Sequence, residues 1–169
     1  DVAMAANQAL LAIESVGFIG ASGFGVAAGA LVSQKLGARD REGAAGAGWT
    51  SLAVAVLALS AVSVVFLLFP RTLVGLFTEE TAIVSLGARC LLIAAAAQPL
   101  MATSDVLAAS LRAAGDTRSP LVVALVGGVV FRVAGTWLFA LHLEWGLVGV
   151  WVGSTMDWRQ LGALGRALG

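Results

Sequence analysis

Charge is scarce in this chain. Only 12% of its 169 residues are Asp, Glu, Lys or Arg, against about a quarter in an ordinary soluble domain. Apolar residues make up 59%, and the mean hydropathy is +0.95. Too little polar surface remains to coat a globule in water, so the composition points to a membrane protein. Basic and acidic residues balance to zero net charge, which argues against the basic stripe that a nucleic-acid partner would require. One cysteine, Cys90, excludes a disulfide framework and a multi-cysteine metal site, and it reads as a buried thiol. One histidine, His142, argues equally against a zinc enzyme. There is no phosphate loop, no nucleophile elbow and no carboxylate pair spaced for catalysis in water, so no catalytic, cofactor-binding or metal-ligating residue is assigned. Gly23-Phe24-Gly25-Val26-Ala27-Ala28 fits a dinucleotide-binding pattern. However, it lies inside an apolar run with no strand before it, where that chemistry has no footing.

Long uncharged runs take the place of charge. Ser15 to Gln34 and Gly43 to Pro70 carry none, and a spanning helix needs about 20 mainly apolar residues. The runs are continuous rather than alternating, so they read as helices and not barrel strands. The expected fold is an all-α polytopic bundle in a single membrane domain, 1–169. Its five spans lie at roughly 5–34, 46–69, 82–111, 119–141 and 145–165. Phe69-Pro70-Arg71 closes the second span, and Thr78 to Thr81 supplies caps for the third. Ser119-Pro120 reads as a cap followed by proline at the first helical position. Between Pro70 and Thr78, residues 72–77 read as a short amphipathic piece at the interface.

Lys and Arg set the orientation. Lys35, Arg39 and Arg41 follow the first span, Arg112 and Arg118 follow the third, and Arg159 and Arg166 close the chain. Arg71, with Arg89 a little way into a helix, stands on the other side. These positions place the first set and the C-terminus in the cytoplasm and the N-terminal end outside. An odd number of spans starting outside implies a chain cut from something longer. Trp49, Trp145, Trp151 and Trp158 lie near span ends, as an interfacial belt requires, whereas Trp137 is the one placed to face a cavity. The first span also carries small residues every fourth position: Gly17, Ala21, Gly25, Gly29 and Ser33. Such a ridge lets two helix backbones approach closely in lipid, either within one bundle or as a sliding surface.

The ionisable and polar residues inside the spans carry the functional signal, because a charge at mid-membrane usually faces a bundle interior or a wet cavity. Four are candidates for binding substrate or cation: Asp105, Gln98, Arg132 and Glu14. By helical rise Asp105 lies roughly 10 Å in from Arg112, while Arg132 and Gln98 lie roughly 20 Å in. Glu14 sits toward the outer side. Each also has a structural reading: Asp105 as a partner for a neighbouring helix, Arg132 snorkelling or paired, Glu14 solvated or capping. Asp157 and Arg159 read as interfacial.

Three stretches together resemble the multidrug and toxic compound extrusion (MATE) transporters. Ala30 to Asp40 (ALVSQKLGARD) is similar to the family's LVGQxLGAGD signature, and Leu111 to Pro120 (LRAAGDTRSP) to its LRGAGDTRxP loop. Gly146 to Gly153 (GLVGVWVG) is similar to its GLxGVWxG stretch. Ser33 and Ala113 stand where glycines are usual. The resemblance implies two six-helix lobes around a central cavity, with this chain matching the last five helices of the second lobe. It implies a secondary antiporter in the plasma membrane that exports small cationic or amphipathic drugs in exchange for Na⁺ or H⁺. No cofactor beyond that coupling ion is implied, and the lipid bilayer and the missing N-terminal lobe are the expected partners. Some members carry a coupling aspartate at the position of Met101. Asp105, one turn further along, stands nearest to it. Two alternatives remain: a lipid-linked oligosaccharide flippase of the wider superfamily, and a non-transporting membrane module that self-assembles through the Gly17–Ser33 ridge.

Overall fold

The computed structural model describes residues 2–125 together with residues 133, 137, 138, 148 and 151, and the described residues contain helices and no strand. Helix α1 runs Val2–Gly37, α2 Arg41–Leu68, α3 Pro70–Gly75, α4 Thr81–Ala113 and α5 Arg118–Leu125. Three of them, over Met4–Gly37, Arg41–Leu68 and Thr81–Ala113, are long and apolar enough to cross a membrane. The span expected at 119–141 begins as α5. Of its remainder only residues 133, 137 and 138 are described, and of the span at 145–165 only 148 and 151; Arg132, His142, Trp145, Asp157, Trp158, Arg159 and Arg166 lie outside the described residues.

The two polar turns share one design, and it explains why α2 and α5 start earlier than expected. At the end of α1, Arg39 N–H donates to Leu36 C=O (2.9 Å) and Asp40 N–H to Lys35 C=O (2.9 Å). At the end of α4, Gly115 N–H donates to Arg112 C=O (3.1 Å) and Asp116 N–H to Leu111 C=O (2.9 Å). This pair of bonds satisfies the last helical carbonyls and requires a left-handed residue just past the cap. Gly115 takes φ 93 at no steric cost, but at the equivalent place Arg39 takes φ 60. The signature that Ala30 to Asp40 resembles has glycine where Arg39 stands.

In each turn the next residue is an aspartate that starts the following helix. Asp40 Oδ1 accepts Gly43 N–H (2.8 Å) and Oδ2 accepts Lys35 Nζ (3.4 Å). Asp116 Oδ1 accepts the N–H groups of Arg118 (3.1 Å) and Ser119 (3.0 Å). The cap of α5 is therefore Asp116 and not Ser119, and the helix begins before Pro120. The Gly43 N–H, and after it Lys35, hold the Asp40 carboxyl below its ordinary value. Ser119, through side chain and backbone, and then Arg118, do the same for Asp116.

α4 is the axis of the bundle. Both α1 and α2 pack along it, and α3 tucks Val74 into the notch at Gly87. In lipid no hydrophobic drive pushes helices together, so close packing and interhelical hydrogen bonds hold the bundle. One cluster joins Leu10, Ile13, Phe66, Val74, Cys90, Leu91, Ala94, Ala95 and Trp151. A second, nearer the polar turns, joins Ala28, Ala55, Leu59, Ala102 and Val106. Trp151 is thus a core residue, 6% exposed, and not part of an interfacial belt. Trp137 is more than half exposed. The short piece after Pro70 is helical over Pro70–Gly75, with proline in its first turn, where its missing N–H costs nothing.

A second proline lies inside α4. Pro99 has no N–H, so the carbonyl of Ala95 loses its intrahelical partner. Ser63 Oγ of α2 donates to that carbonyl at 2.7 Å, so a side chain from the neighbouring helix closes the gap.

Candidate functional site

The small-residue ridge of α1 determines where α4 lies. At Gly25 an added Cβ would stand 3.2 Å from the backbone oxygen of Asp105, and at Gly29 it would stand 3.5 Å from that of Ala109. At Gly17 it would fall on the side-chain amide of Gln98. Ala21 is fully buried between them. The ridge therefore serves packing within the chain. Only Ser33 at its end is exposed, which removes the surface that a self-assembling module was to use.

Toward the polar turns the α1–α4 seam opens into a groove of about 520 Å³. Ser22, Gly25, Gly29, Ser33, Asp105 and Arg112 are among the residues lining it. The half-buried Asp105 carboxylate accepts Ser22 Oγ at 3.4 Å through Oδ2. Arg112, exposed on the same helix, lines the same groove two turns on, about 10 Å away by helical rise. A carboxylate held by one hydroxyl in a partly dehydrated groove, with no ion pair to a described residue, has the chemistry to hold a cation. The ion pair Lys35–Asp40 lies in the turn, away from this groove.

The other candidates lie deeper. Gln98 is fully buried, and neither amide atom has a hydrogen-bond partner among the described residues. Glu14 is partly buried on α1, about one turn before Gly17, the residue beneath Gln98. The structure thus groups Glu14, Gly17 and Gln98 at one level, and Ser22, Gly25 and Asp105 at another about 10 Å away along α4. Arg132 lies outside the described residues. Met101 is buried, one turn from Asp105. Sequence reasoning missed Ser22, whose signal was its place beside the ridge, three residues before Gly25. It also missed Ser63, which only the tertiary structure brings to Ala95. Among the described residues no three His, Cys, Asp or Glu side chains converge to hold a metal.

Membrane-length helices in one bundle, with a carboxylate-bearing groove along the seam of two of them, define a polytopic membrane protein. The MatE family model matches residues 1–138, and the chain belongs to that family. Among curated relatives, the multidrug resistance protein NorM of Burkholderia vietnamiensis is 36% identical over 158 residues, covering 89% of this chain and 34% of its own length. The probable multidrug resistance protein NorM of Brucella suis is 31% identical over 158 residues, covering 89% and 33%. The chain thus spans about a third of the length of these relatives.

The fold is shared with solved structures. A MATE crystallised in complex with MaD3S superposes with a TM-score of 0.90 at 20% identity, covering 97% of this chain and 37% of that one. An inward-facing MATE family transporter gives 0.86 at 21% identity, covering 96% and 37%.

Proposed function

We propose that this chain forms part of the second lobe of a secondary antiporter that exports cationic or amphipathic drugs across the plasma membrane in exchange for Na⁺ or H⁺. The observation that carries this reading is Asp105, a carboxylate held by Ser22 Oγ at 3.4 Å in the α1–α4 groove of a membrane bundle. Family membership and the names of the NorM relatives support it.

In this mechanism Asp105 binds the organic cation and the coupling ion in alternation. Occupation by a proton or Na⁺ cancels the charge that holds the drug, so ion entry favours drug release. The coupling is the difference in drug affinity between the two forms of the carboxylate. Apolar helix walls give non-directional contact, which tolerates many amphipathic cations. Gln98 and Arg132 shape the mid-depth layer of the cavity, and Glu14 is a further acidic position toward the outer side. The turns at Asp40 and Asp116 face the cytoplasm, in keeping with the Lys and Arg gathered there.

The test is Asp105→Asn in the gene product that contains this chain, expressed in drug-sensitive cells. The expected result is loss of resistance together with loss of ion-dependent efflux from loaded vesicles. If both persist at wild-type levels with equal expression, Asp105 is a structural partner of Ser22 and the mechanism fails.

A further inference from the structure

A second groove, of about 580 Å³, opens between α1, α2 and α4 at the end of the bundle that carries the two aspartate turns. It shares no lining residue with the Asp105 groove. Its walls are mostly apolar, with Val32, Leu36, Leu107 and Leu111 among them, and three residues of different chemistry complete it: Arg41, Trp49 and Ser110. Trp49 is 65% exposed. Arg41 is exposed and makes no ion pair among the described residues. Its neighbour Asp40 is already engaged by Gly43 N–H and Lys35, and Glu42 does not line the groove.

The vertical order of these groups matches that of a phospholipid. Arg41 opens α2 at the membrane boundary, and Trp49 lies about 12 Å further along the helix. That distance passes a headgroup layer of about 6 Å and reaches the upper methylenes. Tryptophan favours this boundary, and a basic residue at the surface attracts anionic headgroups. A free anion would leave the apolar walls unused, whereas a zwitterionic lipid sets its own cation beside the phosphate, so an anionic headgroup gives Arg41 the larger net attraction.

We propose that this groove is a binding site for a single anionic phospholipid of the adjacent leaflet. The phosphate sits on Arg41, the glycerol region beside Trp49, and an acyl chain lies between the leucines and Val32. The site is independent of the Asp105 chemistry.

The test uses the intact protein in phosphatidylcholine vesicles doped with phosphatidylglycerol or phosphatidylcholine brominated in the upper acyl chain. Quenching of Trp49 is obtained by difference from Trp49→Phe. Phosphatidylglycerol should half-quench this component at about one-fifth the mole fraction that phosphatidylcholine needs, the ratio expected for one basic contact. Arg41→Gln should abolish the ratio, while Arg41→Lys and the neighbouring Arg39→Gln should keep it. Equal quenching by the two lipids overturns the proposal, as does a preference that survives Arg41→Gln. Absence of quenching by either lipid also overturns it, because another part of the protein then fills the groove.

Discussion

Gly17 lies directly beneath the side-chain amide of Gln98: a Cβ added to the glycine would stand 2.8 Å from Cδ and 2.9 Å from Nε2. The amide is fully buried, so it must turn within the packed seam to make room. Gly17→Ala should lower stability by about 1–3 kcal/mol, the usual cost of overfilling a packed site. Thermal unfolding in detergent measures this, and Gly17→Ala combined with Gln98→Ala should recover most of the loss. A Gly17→Ala protein that melts like wild type would show that the notch is not needed.

Arg39 occupies a left-handed position that costs a residue with a side chain roughly 1 kcal/mol. Arg39→Gly should raise the melting temperature, and Arg39→Val should lower it. At Gly115, which already takes φ 93, the expectation inverts: Gly115→Ala should destabilise.

The two turn aspartates make stability depend on pH in one direction. Both carboxyls are held below the ordinary value of 3.8, so the folded state favours their ionised forms. Their contribution is fully present above that value and is lost as pH falls through it toward the folded values. Asp40→Asn and Asp116→Asn should therefore melt below wild type at neutral pH. The gap should close in acid, as followed by melting curves from neutral pH down to about pH 3.

Ser63 and Pro99 should be energetically coupled. Ser63→Ala leaves the Ala95 carbonyl without its 2.7 Å donor, at a cost of about 0.6 kcal/mol for a typical interhelical bond in lipid. In a Pro99→Ala background residue 99 regains its N–H and serves that carbonyl, so the same serine substitution should cost little. A double-mutant cycle with no coupling would contradict this account.

The spans were legible because lipid imposes a simple rule: an uncharged run of sufficient length must be helical. That rule locates α1, α2 and α4 to within a few residues, and the ridge from Gly17 to Gly29 foretells a close helix neighbour without saying which. What sequence could not supply was pairing. Asp105 is visible as an acid inside an apolar run, but its hydroxyl partner is 83 residues away on α1. Trp151 resembles a belt residue by its place near a span end, yet it lies in the core because Leu10, Phe66 and Leu91 gather there. Ser119 looks like the cap before Pro120, but Asp116 reaches two backbone N–H groups first.

The paired turns at Arg39–Asp40 and Gly115–Asp116 also bear on how such a bundle moves. In each, backbone bonds close one helix while a carboxylate opens the next, so the corner behaves as a bracket and not as a joint. A tilt of α1 that keeps these bonds carries the start of α2 with it, and the same bracket ties α4 to α5. Spin labels placed across either corner should therefore report one unchanging separation whenever the bundle rearranges, while labels on either side of Pro99 record whatever bending the bundle allows.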